Sequence, residues 1–508
     1  MSPMNIKYHM IMLILSIAGL ATAPQAQGQT PDQTQSFTPL EFNNLPFSVD
    51  LTRVPTSLPN LQSYAFGSYQ GTYLFTDGRT NGLHSFTDDG IANFPPKYQN
   101  PNIWAFDPVT NESWSRPTAD AGLSESMNNA LSATAVGFAQ QDDTLYLNGG
   151  YLYAGSFPTG EFTTWDTLTA IDLREAISWV KNESGAPDLS SHVRQTTNPA
   201  MQVTGGVLHF VDDKALLTFG NTFIGPYVPD LGVQTYTKTV RSFSIIDEGP
   251  GGSLTIANLE ESPQLEANRR RDLNVLPLIA SDPSDPRLVA LAGVFTEGDG
   301  VWTVPVEINA DGSTTMADPT APDTFRQGLN NYQSAAISLY SPSNAENSMV
   351  LAGGISPQYF DGSDMVYDEN YGFNSQSSLV VRDETGSYVQ YFLGDIFPNI
   401  FDTEGAGPML FGTGAQFLLN PSIELIDGSD EIINQDILSD GDVLGWIFGG
   451  IAAEQPNFGA TVASNELFEV VYVANPVPEP ATAGLLAIGG LLVWVASRRR
   501  QAAKDAQD

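Results

Sequence analysis

The amino-acid sequence predicts an all-β fold made of six repeated units. Two observations lead to this prediction. The chain has 508 residues, of which 46 are glycine, 34 are proline and 10% are aromatic, while only 16% are charged. In addition, one pattern recurs: a β-rich run ends in small residues, a polar loop follows, and a second β-rich run completes the unit. Short strands joined by turns account for both observations better than helices do.

Six copies of this pattern follow one another along most of the chain. A copy begins with an apolar run such as "LYLNGG" and ends with a run such as "NIWAFDPVTNESW". The body is longer than a single hydrophobic core usually extends, so growth by repetition is expected. The cores of the copies lie near 72–114, 145–180, 215–247, 288–312, 349–389 and 445–473.

The first copies contain two informative features. Double glycines at the end of an apolar run, as at Gly149 and Gly150, let neighbouring backbones approach closely because glycine has no Cβ atom. In 102–114, an alternating strand is followed by an Asp-Pro turn, and Trp114 lies on the returning strand. In 168–180, Asp172 and Trp179 occupy the corresponding places.

This order of strand, double glycine, loop, strand, Asp-Pro turn and tryptophan resembles the Kelch repeat. The resemblance implies a six-bladed Kelch-like β-propeller over 31–474, and a pair of β-sandwiches is the alternative. Residues 37–54 alternate weakly and are expected to supply the strand that closes the ring, because an open array would expose unpaired strand edges. The long stretch 392–442 is interpreted as an enlarged last blade or an insertion that caps one face.

The N-terminal end predicts an export signal. Lys7 precedes an apolar run of about a dozen residues, 10–21, which small and polar residues follow. This length is typical of a secretory signal and short of the ~20 apolar residues that a spanning helix needs. We therefore expect residues 1–28 to be a signal peptide for the secretion translocon. An uncleaved N-terminal anchor is the alternative.

The C-terminal end has three parts in a fixed order. Val477, Pro478, Glu479 and Pro480 form a rigid, non-helical break, since each proline fixes φ and lacks an N–H donor. An uncharged run at 482–497 is barely long enough to cross hydrocarbon. The basic cluster that ends it stays on the cytoplasmic side by the positive-inside rule. This cluster consists of Arg498, Arg499 and Arg500.

This order resembles the PEP-CTERM sorting signal of exosortase systems, which occur in Gram-negative bacteria that make extracellular polysaccharide. The resemblance covers 475–508. It implies a single C-terminal transmembrane sorting helix that holds the protein transiently in the inner membrane until an exosortase cuts near Pro-Glu-Pro. The body then reaches the cell surface or the extracellular space. An ordinary C-terminal anchor is the alternative.

Composition excludes several function classes. The net charge is −37, so the surface repels nucleic acid, which needs a basic footprint. The chain has no cysteine, which excludes disulfides, a copper-radical site with a Tyr–Cys link, and cysteine-based zinc sites. The histidines of the body, His84, His192 and His209, lie far apart in sequence and are interpreted as surface or hydrogen-bonded residues. No Gly-x-Ser-x-Gly motif presents a nucleophile.

Two candidate sites remain. Arg269, Arg270 and Arg271 form a basic cluster just before "LNVLPLI", and they either bind an anionic sugar or carboxylate or pair with acidic neighbours between blades. The second interpretation is favoured. Calcium is possible on Gly-containing acidic turns, although no cofactor is required. The oxygen ligands would come from Asp427, Asp430, Asp436, Asp440 and Asp442.

The sequence therefore favours a non-catalytic binding module, displayed outside the cell, for polysaccharide or a surface protein. Loop aromatics could stack on sugar rings. The alternative is a hydrolase or lyase that acts on polysaccharide. A cavity lined by aromatic residues that also holds paired carboxylates would favour hydrolysis, and enzymatic activity stays open at this point. The loop aromatics are Tyr151, Tyr153, Trp165, Tyr359, Tyr367 and Tyr371.

Overall fold

A computed structural model describes residues 37–474 except 229, 281–283, 402–406 and 458. The predicted signal peptide (1–28) and the predicted sorting signal (475–508) lie outside the described residues. Among the described residues, no helix is long and apolar enough to cross a membrane.

The described chain is mostly β, as the composition predicted, and its helices are short. The α-helices are α1 (Gly90–Asn93), α2 (Glu125–Ala130) and α3 (Leu173–Val180), and short 3₁₀ turns occupy Pro96–Tyr98, Thr118–Asp120, Pro199–Met201, Glu266–Asn268 and Gln435–Ile437. The strands are β1 (Phe47–Val54), β2 (Ala65–Tyr69), β3 (Thr72–Thr76), β4 (Asn102–Asp107), β5 (Glu112–Pro117), β6 (Gly137–Gln141), β7 (Thr144–Asn148), β8 (Tyr151–Ala154), β9 (Glu161–Thr164), β10 (Thr167–Asp172), β11 (Val193–Thr197), β12 (Val207–Val211), β13 (Lys214–Thr218), β14 (Asn221–Ile224), β15 (Val233–Tyr236), β16 (Val240–Asp247), β17 (Leu254–Glu261), β18 (Asn274–Ile279), β19 (Pro286–Leu291), β20 (Val306–Asn309), β21 (Thr314–Met316), β22 (Ala335–Ser341), β23 (Glu346–Ala352), β24 (Gly354–Phe360), β25 (Met365–Asn374), β26 (Gln376–Arg382), β27 (Tyr388–Asp395), β28 (Ala415–Leu419), β29 (Ile433–Asn434), β30 (Val443–Gly449), β31 (Ile451–Ala453), β32 (Thr461–Ala463) and β33 (Leu467–Ala474).

Six sheets repeat one topology, in which four antiparallel strands lie in the order first, second, third, fourth. Each predicted core spans the second and third strands of one sheet, which are its two central strands. The sheets are sheet 1 (β2, β3, β4, β5), sheet 2 (β6, β7, β10, β11), sheet 3 (β12, β13, β16, β17), sheet 4 (β18, β19, β20, β21), sheet 5 (β22, β23, β26, β27) and sheet 6 (β28, β30, β33, β1).

Sheet 6 combines the two ends of the described chain. Its outer strand β1 pairs antiparallel with β33 over eight residues, from Phe47 opposite Ala474 to Val54 opposite Leu467. The weak alternation in 37–54 predicted a strand in this region, and the strand occupies 47–54. The stretch 392–442 contains β28, the first strand of sheet 6, and the short strand β29, which pairs in parallel with β22 of sheet 5.

Apolar side chains fill the space between successive sheets in cyclic order. Separate clusters lie between sheets 1 and 2, 2 and 3, 3 and 4, 4 and 5, and 5 and 6. A further cluster joins sheet 6 to sheet 1, where Phe448 and Leu418 pack with Phe75 and Tyr73. Each sheet therefore buries both of its faces against its two neighbours.

A ring of backbone hydrogen bonds ties the entrances of the six first strands together. One or two positions before each first strand, one residue has a left-handed backbone, with φ between 51° and 67°. We call these six residues the waist ring. The waist ring consists of Ser63, Ala135, Gly205, Asp272, Gln333 and Gly414.

Five N–H···O=C bonds connect the waist ring. They run from Ala135 to Ser63 (3.3 Å), from Gly205 to Ala135 (3.1 Å), from Asp272 to Gly205 (2.9 Å), from Gly414 to Gln333 (2.7 Å) and from Ser63 to Gly414 (3.2 Å). The last of these bonds joins the first sheet to the sixth. These five bonds link the six residues in one continuous series, which runs from Asp272 through Gly205, Ala135, Ser63 and Gly414 to Gln333.

Glycine at the end of the second strand allows the close approach of neighbouring sheets. The Gly150 N–H donates to the Val203 carbonyl of the next unit (2.9 Å), and the Gly450 N–H donates to the Leu61 carbonyl (2.9 Å), which again joins unit 6 to unit 1. A Cβ atom on Gly149 would lie 1.9 Å from the Val203 oxygen. The double glycine is therefore a steric requirement here.

One sequence interpretation is wrong. Trp179 was placed on the returning strand of the second copy, but it lies on helix α3, and the returning strand is β11. Residues 173–180 bury Leu173, Ile177 and Trp179 on one face, and the Asp172 carboxylate caps the helix by accepting from the Glu175 N–H (3.2 Å). Helical periodicity and a capping residue therefore prevailed over the repeat pattern.

The connections between second and third strands carry additional β-structure. Strands β8, β9, β14 and β15 form a sheet from the connections of sheets 2 and 3, while β24 pairs with β25 and β31 pairs with β32. These additions enlarge the surface around the waist ring.

We predict that Gly149→Ala destabilises the protein by about 1–3 kcal/mol more than Gly185→Ala does. Both glycines have a positive φ, 61° at Gly149 and 88° at Gly185, so both substitutions strain the backbone. Only at position 149 would the new methyl group collide with a neighbouring backbone, since a Cβ atom at position 185 has nothing within 4 Å. Denaturant titration of the two variants measures the difference, and equal destabilisation would contradict the prediction.

Candidate functional site

Two cavities adjoin at the waist ring, and five of its six residues line both. The first, of about 500 Å³, is lined by residues from the first strands of all six sheets, and we call it the strand-lined cavity. The second, of about 480 Å³, is lined largely by the connections between second and third strands, and we call it the aromatic cavity. Both volumes lie within the usual range of small-molecule sites, about 300–1,000 Å³.

The strand-lined cavity contains an ion pair between two units. Nδ1 of His209, on β12, lies 3.2 Å from a carboxylate oxygen of Glu431. Nε2 of the same ring lies 3.1 Å from the Val275 carbonyl of β18. A carbonyl oxygen and a carboxylate both accept hydrogen bonds, so this geometry suits a His209 ring that is protonated on both nitrogens.

Electrostatics agree with this geometry. Burial opposes the charge on His209, but the Glu431 carboxylate outweighs burial and raises the pKa of His209 above its ordinary value of 6.5. Burial would likewise raise the pKa of Glu431, but the His209 ring outweighs it and lowers that pKa. The Glu431 side chain is 49% exposed, so water in the cavity screens the pair and its net contribution is small.

The aromatic cavity has walls of a different character. Its lining combines aromatic rings with side-chain amides, a combination that suits stacking on a sugar ring and hydrogen bonding to its hydroxyl groups. The aromatic lining residues are His84, Phe86, Phe94, Tyr151, Phe223, Tyr227, Phe295, Tyr332 and Phe373. The amide-bearing lining residues are Gln62, Asn221, Gln234, Gln333, Asn370, Gln455 and Asn457.

Arg79 is a buried cation in the wall of the aromatic cavity. The residue is only 3% exposed, and no carboxylate of the described residues lies within ion-pair distance of it. Its Nε donates to Asn81 Oδ1 (3.0 Å) and its Nη2 donates to the Pro95 carbonyl (3.0 Å). Burial lowers the pKa of Arg79 to about 10, so the guanidinium keeps its charge at neutral pH.

Arg271 brings a second guanidinium to the same cavity. Its Nη1 lies 2.7 Å from the carboxylate of Asp272, a waist-ring residue, and its Nε donates to the Tyr236 hydroxyl (3.3 Å). Burial would lower the pKa of Arg271, but the Asp272 carboxylate together with Tyr236 and Tyr227 outweighs burial and raises that pKa. Asp272 is the only carboxylate among the described residues that line the aromatic cavity.

His84 lies among these groups as a neutral ring. It stacks on Phe94 with ring centroids 4.7 Å apart and meets the edge of Tyr227 at 4.5 Å. Burial, followed by the charges of Arg271 and Arg79, lowers the pKa of His84 to about 4. Its Nδ1 is 3.1 Å from the Ser85 carbonyl, which makes Nδ1 the donor and leaves Nε2 with a lone pair.

The other two members of the predicted arginine cluster have backbone partners. Arg269 donates to the carbonyls of Phe295 and Thr296 and lies over the Tyr236 ring at 4.2 Å. Arg270 is fully buried, donates to the carbonyls of Ala267, Ala292 and Val304, and lies 4.7 Å from the Trp302 ring. Of the cluster Arg269, Arg270 and Arg271, only Arg271 lines a cavity.

The predicted calcium ligands are distributed over several turns. Asp436 accepts from the Ser341 hydroxyl (2.6 Å) and the Ser343 N–H (2.7 Å), while Asp442 accepts from the Ser439 N–H (2.7 Å). Asp440 accepts from the Ala474 N–H. Asp430, three positions after Asp427, lines the strand-lined cavity. Within the described ranges, no group of three or more acidic or histidine side chains has an arrangement that could hold a metal ion. Calcium binding stays a prediction.

Sequence reasoning identified only part of the aromatic cavity. It named Arg271 and Tyr151, but it missed Arg79, Tyr227 and Tyr332 and interpreted His84 as a surface or hydrogen-bonded residue. Arg79 could have been noticed because "DGRTNGLH" places a scarce basic residue and a histidine directly after an apolar strand. Of the other loop aromatics, Tyr153 is 5% exposed and lies in the core beside Phe162, whereas Tyr359 and Tyr367 are exposed.

Comparison with known proteins gives no family for this chain: no protein-family model matches it, and no curated protein matches it.

We predict that the His209–Glu431 pair stabilises the fold only within a window of pH. The pair contributes above the ordinary pKa of Glu431, 4.5, and is lost as pH falls through the lowered pKa of that group. Because the pKa of His209 is raised, its contribution is complete below 6.5 and is lost as pH rises through the higher value. The free energy of unfolding of the wild-type protein should therefore exceed that of the His209→Gln variant by up to about 1 kcal/mol between pH 4.5 and 6.5.

Denaturant titrations of both proteins across this range provide the measurement. His192→Gln is the control, since His192 lies 3.3 Å from Asp172 outside the strand-lined cavity. A difference between wild type and His209→Gln that is constant from pH 4 to pH 9 would contradict the prediction.

Proposed function

We propose that the chain is an exported, surface-displayed protein whose body is a six-bladed Kelch-like β-propeller and binds polysaccharide in the aromatic cavity. The mature body acts as a non-catalytic binding module for polysaccharide or a surface protein at the cell surface or in the extracellular space. The polysaccharide ligand is the better supported of the two, for the reasons below.

The arrangement of the sheets supports a propeller. Six sheets that share one antiparallel arrangement of four strands, the waist ring, and the six apolar clusters in cyclic order all agree with blades around an axis. Strand β1 would close the ring by completing the sixth blade, so that no sheet edge remains between the first and last blades. A pair of β-sandwiches does not account for hydrogen bonds that join unit 6 to unit 1.

The single observation that carries the binding function is the composition of the aromatic cavity. Nine aromatic rings and seven side-chain amides surround a volume of about 480 Å³ next to the waist ring. Aromatic faces stack on the apolar faces of sugars, and amides satisfy hydroxyl groups. A protein partner would instead be expected to use a broad surface with an apolar centre.

Catalysis is the second candidate function, and the lining of the aromatic cavity favours a lyase over a hydrolase. Glycosidases need two carboxyl groups on either side of the bond that is broken, whereas the described lining holds Asp272 alone, paired with Arg271. A neutral His84 with a free Nε2 beside Tyr227 could serve as a base and an acid in an elimination. Turnover would therefore produce an unsaturated sugar end.

The proposed sorting pathway rests on the sequences of the two chain ends. The signal peptide directs the chain through the secretion translocon, and the apolar helix 482–497 holds it transiently in the inner membrane. An exosortase then recognises Pro478, Glu479 and Pro480 and releases the body. The basic cluster at 498–500 keeps the last residues on the cytoplasmic side during this stage.

We predict that replacing Pro478, Glu479 and Pro480 with alanine retains the full-length protein in the membrane of cells that contain an exosortase. Release should fall at least about tenfold, because removal of the recognised break leaves only the anchor. Membrane and medium fractions are quantified by immunoblot, and mass spectrometry locates the C-terminus of the released form. Pro476→Ala is the matched control. Released protein that retains Arg498–Arg500 would contradict the sorting proposal.

We predict that the full-length protein, purified in detergent, binds selected polysaccharides on a glycan array and does not convert them. The array is probed with and without calcium, and soluble products are measured in parallel. Selective retention without products supports the binding module, and appearance of unsaturated ends replaces it with the lyase. Retention that needs added calcium would support the predicted calcium sites. Absence of both retention and products would overturn the proposed function.

A further inference from the structure

We infer that the aromatic cavity recognises an acidic sugar unit, whose anionic group binds to Arg79 with Arg271 nearby. This inference rests on the proposed binding function and names the class of its ligand. The anionic group is a carboxylate or a sulfate ester, which share the oxygen acceptors that a guanidinium binds.

The buried charge of Arg79 is the first argument. Removing a guanidinium from water without an ionic partner is costly, and buried charges in proteins are normally paired. Arg79 is 3% exposed, and among the described residues its side-chain acceptors are the neutral oxygens of Asn81 and Pro95. These acceptors occupy two of its five N–H groups, so donors remain on the side chain that lines the cavity.

Arg270 provides an internal comparison. It is also buried, and no carboxylate of the described residues lies within ion-pair distance of it. It donates to three backbone carbonyls and lines neither cavity, and burial lowers its pKa to about 9. Its role is therefore accounted for by the blade contacts that it makes. Arg79 differs because it lines an open volume, where a ligand can supply the missing negative charge.

The charge balance of the cavity is the second argument. The whole chain carries a net charge of −37, yet the described lining of the aromatic cavity contains two arginines, Arg79 and Arg271, against the single carboxylate of Asp272. A locally cationic pocket in a strongly acidic protein is unexpected for a solvated surface. Beyond about 8–10 Å, salt screens the repulsion between an acidic ligand and the rest of the surface.

The aromatic residues explain why the ligand is a sugar and not a free ion. His84, Phe94 and Tyr227 contact one another around the arginines, with centroid distances of 4.5–5.2 Å. The Arg79 guanidinium lies 5.0 Å from the Phe94 centroid. An anionic group at Arg79 would therefore place the attached ring against aromatic faces, which gives selectivity for a ring that bears the charge.

The test compares ligands that differ in charge alone. Polygalacturonate and its fully methyl-esterified form have the same backbone, dextran and dextran sulfate form a second pair, and binding to the full-length protein in detergent is measured by isothermal titration calorimetry. We expect polygalacturonate or dextran sulfate to bind at least about tenfold more tightly than its neutral counterpart. The pair that shows the difference identifies the anionic group.

Two variants connect this selectivity to the site. Arg79→Gln should lower affinity for the acidic polymer by about ten- to a hundredfold and leave binding of the neutral polymer unchanged, whereas Arg79→Lys should retain part of the preference. Arg174→Gln is the matched control, because Arg174 is 67% exposed on helix α3 and its loss changes net charge equally. Circular dichroism verifies the fold of each variant.

The outcomes separate the two proposals. Binding of neutral polymers with equal or higher affinity overturns the acidic ligand but leaves the polysaccharide-binding function. Absence of binding to all four polymers overturns both. If Arg79→Gln fails to fold, the comparison of charged and neutral polymers on the wild-type protein, together with Arg79→Lys, still decides the question.

Discussion

The close contact between the inner ends of the six sheets is the constraint on which the rest of the structure depends. Each waist-ring residue adopts a left-handed backbone, and its amide or carbonyl bonds to the corresponding residue of a neighbouring unit. Four of these six positions have a side chain other than glycine, and an L-residue there costs about 1–2 kcal/mol. The hydrogen bonds and the packing between sheets must offset that cost. Register, sheet spacing and the position of both cavities follow from this contact.

The waist ring also separates two chemical environments. On the strand-lined side, the inner strands bring His209 of one unit and Glu431 of the sixth-unit region together, although 222 positions separate them in sequence, as the two residue numbers give. On the other side, the connections between second and third strands differ in length from unit to unit, as surface connections commonly do. These connections contain Arg79 and most of the aromatic rings and amides of the aromatic cavity. The aromatic cavity is therefore built largely from the additions to the repeat.

Much of the fold could be predicted from the sequence because its signals are local. Alternating apolar runs and double glycines placed the two central strands of every sheet, and the weak alternation near the N-terminus indicated β1. The error at Trp179 has a local cause as well: eight residues with helical periodicity and an Asp cap follow β10, where the repeat pattern predicted a strand. The aromatic cavity could not be predicted in the same way, because Arg79, Arg271 and Tyr332 come from three different units.

The sequence by itself determined that the chain is β-rich and repetitive, that its surface is acidic, and that disulfides and cysteine-based metal sites are absent, because composition and short-range periodicity fix these properties. Only the tertiary structure decided which of the three adjacent arginines faces a cavity, since Arg269 and Arg270 differ from Arg271 in orientation and not in residue type. It also decided that Arg79 is buried without an acidic partner among the residues that the structure describes. Burial and pairing depend on contacts between residues that are distant in sequence, and no local pattern records them.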